Sequence, residues 1–69
     1  MVNTDRLRGI IAERHMSQSQ VARHLGLSVP GFYDKMNKGA FWVSEAEKMI
    51  ILLDIKDPVS IFFTDVVTQ

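Results

Sequence analysis

The sequence contains no cysteine, only two prolines and four glycines, and no apolar run longer than the five residues of 49–53. Without cysteine, a disulfide framework and a zinc site built from thiolates are both excluded. A secretory signal needs an apolar stretch of about 7 to 15 residues and a membrane helix needs about 20, so the sequence predicts neither. We therefore expect a cytoplasmic protein that has no membrane contact.

The chain has 69 residues, and this length predicts one small domain spanning 1–69 that buries only about 60% of its unfolded surface. Domains of this size without disulfides or metals depend on compact helices or on dimerisation. No repeat, low-complexity tract or hairpin-like alternation is present, so the predicted class is all-α.

Charge is balanced in number but not in position. Lysine and arginine together equal aspartate and glutamate, and the formal net charge is zero. Residues 1–40 carry six basic and three acidic side chains, whereas residues 41–69 carry two basic and five acidic ones. This asymmetry favours the first part of the chain as the side that meets phosphate. The alternative is an ordinary scatter of charge over two solvated faces.

Capping and stop signals predict five helices. The first is capped by Asn3 or Thr4 and ends near residue 15. The second begins after Ser17, which forms an S-x-x-Q capping box with Gln20, and it stops at Gly26. The third begins after Ser28, tolerates Pro30 in its first turn and runs to about residue 37.

Two further helices are predicted in the second half of the chain. Ser44 and Glu47 have the spacing of another capping box and indicate the start of the fourth helix. Asp57 directly before Pro58 indicates a short fifth helix that includes residues 61–63. Apolar residues at helical spacing mark the inward faces: Leu7, Ile10, Ile11, Val21, Ala22, Leu25, Ala46, Met49, Ile50 and Leu53.

The second and third predicted helices, over about residues 17–38, are separated by only a few residues. Small Ala22, then Gly26, then apolar Phe32 fit a sharp connection in which the two helices approach closely. This pattern is typical of the helix-turn-helix unit, whose second helix lies in the major groove of DNA.

The run SQSQVARHLGLSVPGFYDKMNKGAFWVSEAEKMI resembles the helix-turn-helix of phage repressors and Cro proteins, the XRE family. Phe32-x-x-Lys35-x-Asn37, with Phe41 following, is similar to small regulators of phages and mobile elements of Gram-positive bacteria. The resemblance covers roughly residues 5–64. It implies a compact five-helix, lambda-repressor-like domain, bacterial or phage-encoded, that binds a palindromic operator as a dimer.

The resemblance also implies roles for single residues. Gln18 corresponds to a glutamine that meets a DNA phosphate and braces the start of the third helix. Asn37 corresponds to a contact with the sugar-phosphate backbone, and Lys38 beside it adds positive charge. Ser17 and Ser28, at the starts of the two helices, complete this backbone-contacting set.

The third helix presents few side chains that could make strong contacts with DNA base edges. Residues placed 100° apart divide into an inward side and an outward side. The inward side holds Val29, Phe32 and Met36, and the outward side holds Pro30, Tyr33, Asp34 and Asn37. Tyr33 and Asn37 can hydrogen-bond to bases, Pro30 and Tyr33 can contact a thymine methyl group, and Asp34 can accept only from a cytosine amino group. The face contains no arginine to make a bidentate contact with guanine.

These features bear on three classes of function. The first is a sequence-specific transcriptional regulator that binds operator DNA, and the second is an antirepressor or modulator that binds a repressor protein. The third, an enzyme, is not expected, because His15 and His24 lack acidic partners at metal-site spacing and the serines are explained as caps. We expect no metal and no cofactor.

Aromatic residues in the second half raise the question of a partner surface. Phe41 is predicted to fill the core, whereas Trp42 either packs or belongs to a contact surface. Phe62 and Phe63 cannot both point inward from one short helix, so one of them is expected to join Val59 or Val66 in a homodimer interface.

Overall fold

The structure is a computed structural model and describes residues 1–63. Within that range the chain forms five α-helices and no strand. The helices are α1 (Thr4–Glu13), α2 (Gln18–His24), α3 (Val29–Lys38), α4 (Val43–Leu52) and α5 (Pro58–Phe62). The all-α prediction is confirmed, and none of these helices combines the length and apolar character needed to cross a bilayer.

Local capping signals explain where most of the helices start. Asn3 Oδ1 accepts a hydrogen bond from the Arg6 N–H at 3.1 Å, and Asp57 caps α5 through the Ser60 N–H at 3.4 Å. These caps satisfy N–H groups that have no partner inside the helix. The predicted starts of α1 and α5 are therefore confirmed.

The start of α4 differs from the prediction. Ser44 is not its cap, because the helix begins at Val43 with Trp42 as the N-cap residue. The carboxylate that reaches back belongs to Glu45, which accepts a hydrogen bond from the Trp42 N–H at 2.8 Å. The predicted box from Ser44 to Glu47 is wrong because Glu45 already occupies the third helical position.

The core is one cluster to which all five helices contribute. Its fully buried members include Leu7 of α1, Val21 of α2, Phe32 of α3 and Met49 of α4. Phe41 packs against this cluster with its ring centroid 5.7 Å from that of Phe32, as the sequence predicted. The core therefore fixes one side of α3 and leaves its other side free.

Four long-range hydrogen bonds hold the ends of helices in place. Arg14 Nε donates to the Leu53 carbonyl at 2.7 Å and an Nη of the same guanidinium donates to the Asp54 carbonyl at 3.2 Å, so Arg14 caps the end of α4. The Val2 N–H donates to the Gly39 carbonyl at 3.0 Å and the Asn3 N–H to the Ile61 carbonyl at 2.7 Å. The first residues thus connect the end of α3 to α5.

Candidate nucleic-acid interface

The connection between α2 and α3 is short and closed by backbone hydrogen bonds. The Leu27 N–H donates to the Ala22 carbonyl at 3.0 Å, and the Gly26 N–H donates to the Arg23 carbonyl at 3.1 Å. Gly26 has a φ of 75°, a left-handed conformation that glycine adopts at little cost. Ala22 is completely buried, and its small side chain lets α2 and α3 pack closely.

Both helices start on exposed serine caps. Ser17 Oγ accepts from the Gln20 N–H at 3.1 Å while Gln20 Oε1 accepts from the Ser17 N–H at 2.8 Å, which is the predicted capping box. Ser28 Oγ accepts from the Gly31 N–H at 3.1 Å. A helix start of this kind favours a nearby anion because its remaining N–H groups and its dipole point outward.

The two sides of α3 are arranged as the sequence predicted. Phe32 and Met36 are buried and Val29 is half-buried against the core. The opposite side, which we call the outward face of α3, is exposed and consists of Pro30, Tyr33, Asp34 and Asn37. The Tyr33 side chain is accessible and free to contact a partner.

A salt bridge changes the electrostatics of the outward face. Lys38 Nζ lies 3.0 Å from Asp34 Oδ2, one helical turn away. The sequence had suggested that Lys38 would add positive charge beside a contact with the DNA backbone. Because the two charges neutralise each other, the face presents hydrogen-bonding and apolar groups with little net charge.

Gln18 occupies the first position of α2 and is half-buried. Its Oε1 atom is the buried side-chain nitrogen or oxygen atom within residues 1–63 that has no hydrogen-bond partner. A buried acceptor without a partner is unfavourable, and such atoms are uncommon in folded proteins. The Gln18 Oε1 atom is therefore an acceptor that a partner molecule could satisfy.

A cluster at the junction of α3 and α4 was not predicted from the sequence. Lys35 Nζ lies 3.1 Å from Glu45 Oε1, the atom that also accepts from the Trp42 N–H. The Lys35 ammonium also lies 5.5 Å from the centroid of the Trp42 ring, within the range of a cation–π contact. Trp42 itself is 70% exposed. In the sequence, the only local sign of this cluster was the position of Glu45 three residues after Trp42.

This cluster borders an apolar notch beside the outward face of α3. The notch has a volume of about 310 Å³ and is lined by Asp34, Lys35, Lys38, Ala40, Phe41 and Trp42. Since two of these residues form the salt bridge of the outward face, the exposed indole and the outward face of α3 form one continuous surface. Of the two predicted roles for Trp42, packing does not fit, because the ring is mostly exposed.

Most positive charge in residues 1–40 is already neutralised. Arg6 pairs with Glu13 at 3.4 Å and Arg8 with Asp5 at 3.1 Å, both on α1. Arg14 is bound to the end of α4. The expectation that this part of the chain forms a strongly basic surface is therefore weaker in the structure than in the sequence. The partners of Arg6 and Arg14 lie 7 and 39 residues away, separations that residue order does not indicate.

The predicted dimer residues separate into three groups. Val59 is 50% exposed and Phe63 is 39% exposed, so both are available to a partner. Phe62 is only 6% exposed and belongs to the core, so its assignment to a dimer surface is corrected. Val66 lies outside the described residues. The surface left for the predicted dimer is therefore Val59 with Phe63.

The histidines lie on the surface at two separate places. His15 follows α1 and His24 ends α2, and both are exposed. Within residues 1–63 no group of three metal-binding side chains lies close together. Comparison of the chain with known protein families, with curated proteins and with solved structures finds no match. Hypotheses about function therefore depend on the geometry of the chain itself.

Proposed function

We propose that the chain is a sequence-specific, DNA-binding transcriptional regulator of the repressor and Cro kind, with a lambda-repressor-like fold. The observation that carries the proposal is the tightly closed connection between α2 and α3, which leaves the outward face of α3 exposed on a rigid support. A helix supported in this way can enter the major groove and contact base edges.

The residues divide into reading and positioning groups. Tyr33 and Asn37 offer hydrogen bonds to base edges, and Pro30 with the Tyr33 ring offers contact to thymine methyl groups. The positioning groups lie at the helix starts and after α3, where they meet phosphates and set the register. These are Ser17, Gln18, Ser28 and Lys38. Asp34 acts by holding Lys38 and by accepting from a cytosine amino group.

The proposed regulator acts in the cytoplasm as a homodimer. Val59 and Phe63 are the exposed apolar side chains of the α5 region that support a twofold contact. A dimer of this kind would place two α3 helices about 34 Å apart, one turn of B-DNA, and would match a palindromic operator.

Selection of bound duplexes from a random DNA pool tests the proposal. The expected result is an enriched, palindromic sequence that the protein binds in a salt-sensitive manner at micromolar concentration or below. If no sequence is enriched and no complex forms at low salt, the proposal is wrong.

A second candidate function is an antirepressor or modulator that binds a repressor protein. The observation that favours it is the near neutrality of the outward face, where Asp34 and Lys38 pair at 3.0 Å, beside an exposed Trp42. Aromatic residues are enriched in protein interfaces. Co-purification with a repressor encoded beside it, together with failure to bind DNA alone, would favour this function over the first.

A further inference from the structure

The outer sides of α2 and α4 form a surface that the proposed DNA contacts do not use. A groove of about 370 Å³ between these helices is lined by His24, Leu25, Lys48, Ile51 and Leu52. A second hollow of about 350 Å³ is lined by Gln20, Arg23 and His24. His24 borders both, so the two hollows adjoin at this side chain, and we call this region the α2–α4 surface.

The α2–α4 surface carries Arg23 and Lys48, which contact neither a carboxylate nor a backbone carbonyl within residues 1–63. Every other described lysine or arginine contacts a carboxylate or a backbone carbonyl: Arg6, Arg8, Arg14, Lys35, Lys38 and Lys56. Glu47, beside Lys48 in the sequence, is exposed and forms no salt bridge in the same range. Arg23 and Lys48 are therefore free to contact a negatively charged partner.

The same surface contains the most exposed large apolar side chain of α4. Ile51 is 82% exposed, Leu52 is half-buried, and Leu25 is buried where the groove meets the core. A phosphate backbone makes no use of an exposed isoleucine, whereas a protein segment buries such a side chain against its own apolar residue. The combination of unpaired cations and an aliphatic groove favours a protein over a nucleic acid.

We propose that the α2–α4 surface binds an acidic, amphipathic segment of a partner protein. An aliphatic side chain of that segment occupies the groove beside Ile51, and its carboxylates contact Arg23 and Lys48. This surface shares no residue with the outward face of α3, so the inference goes beyond the proposed DNA contacts and does not depend on them.

A peptide titration tests the inference. The probe is a short synthetic peptide rich in glutamate with one central leucine, added to ¹⁵N-labelled protein in the absence of DNA. The expected result is saturable amide shifts at the α2–α4 surface, with at least about tenfold weaker binding when the glutamates become glutamine or the leucine becomes serine. Equal binding of all three peptides, or shifts confined to another surface, would overturn the inference.

Variants of the protein give the matching test. R23E/K48E removes both cations, and I51S removes the apolar contact; each is expected to weaken peptide binding by at least about tenfold. The control R8E/K56E makes the same change of net charge elsewhere on the surface and should leave peptide binding within about twofold. Thermal unfolding of each variant shows whether it is folded.

Measuring duplex binding by the same variants distinguishes this inference from the proposed function. If R23E/K48E weakens duplex binding far more than R8E/K56E does, the two cations serve DNA and the inference is overturned, while the proposed function stands. If no duplex binds but the peptide result is as expected, the proposed function fails and the inference stands.

Discussion

Lys38 Nζ lies 3.0 Å from Asp34 Oδ2 on the outward face of α3, and both side chains are more than half exposed. Such a pair adds little to folding stability, but it decides the charge that DNA would meet. Asp34→Asn frees Lys38 and removes an anion, while its amide oxygen can still accept from a cytosine amino group. We predict that this variant strengthens DNA binding about three- to tenfold at low salt. Fluorescence anisotropy with the selected duplex measures this.

Asp5→Asn is the matched control for that experiment. Asp5 is an exposed carboxylate that pairs with Arg8 at 3.1 Å on α1, away from α3. Its loss changes net charge by the same amount, so equal gains in affinity for the two variants would show a general charge effect and contradict a role for Asp34.

Lys38 and Tyr33 are expected to differ in how they affect binding. Lys38→Ala removes the proposed phosphate contact, so it should weaken binding to all duplexes by a similar factor and reduce the slope of log affinity against log salt by about one unit. Titrations of a selected and a scrambled duplex over several salt concentrations give this slope. A loss confined to the selected duplex would place Lys38 among the reading residues.

Tyr33→Ala is expected to change sequence preference. Because the exposed ring and hydroxyl of Tyr33 can contact base edges, the variant should lose about 1 to 3 kcal/mol of discrimination at one or two operator positions. Repeating the selection with the variant measures this change. An unchanged consensus would assign base reading to other residues.

Glu45 is expected to stabilise the junction of α3 and α4. It is only 8% exposed and accepts hydrogen bonds from Lys35 and from the Trp42 backbone. Glu45→Ala leaves both donors without this acceptor, so the free energy of unfolding should fall by about 2 kcal/mol. Urea unfolding followed by Trp42 fluorescence measures it. Glu47→Ala, on the exposed side of the same helix, should change it by less than about 0.5 kcal/mol.

The sequence predicted those parts of the fold in which the interacting groups are close in the chain. The caps formed by Ser17, Ser28 and Asp57 depend on partners three residues away, so spacing indicates them, although the same spacing misplaced the cap of α4 at Ser44. The ion pair of Lys35 with Glu45 joins residues ten apart on different helices, and spacing gives no sign of it. The electrostatics of the candidate site therefore needed the structure.

The sequence also could not tell which of Phe62 and Phe63 is buried. The sequence correctly required that the two rings point in different directions, but helical periodicity over five residues does not say which one enters the core. In the structure Phe62 is buried, whereas Phe63 follows the last helical residue and stays partly exposed. Packing of α5 against α1 makes this choice.

His15 occupies a strained position after α1. Its φ of 58° is left-handed, a conformation that costs a residue with a side chain about 1 to 2 kcal/mol. His15→Gly relieves this strain, but glycine also makes the unfolded chain more flexible, which offsets part of the gain. The free energy of unfolding is therefore expected to rise by about 0.5 to 1 kcal/mol. His24→Gly, at the last position of α2, should lower it instead. Thermal unfolding compares the two variants, and the same sign for both would contradict the assignment of strain.

Phe63 and Val59 are expected to hold the proposed dimer together. Phe63 is 39% exposed on the α5 side, and its replacement by serine removes apolar contact area from each copy without opening the core. Phe63→Ser should therefore weaken dimerisation at least tenfold in analytical ultracentrifugation, a change of about 1.4 kcal/mol, while the monomer keeps its helical content. Ile51→Ser is the control, since Ile51 is 82% exposed on α4 and lies outside the proposed dimer surface. A wild-type protein that stays monomeric at high micromolar concentration, or a dimer weakened by Ile51→Ser and not by Phe63→Ser, would move the interface away from α5.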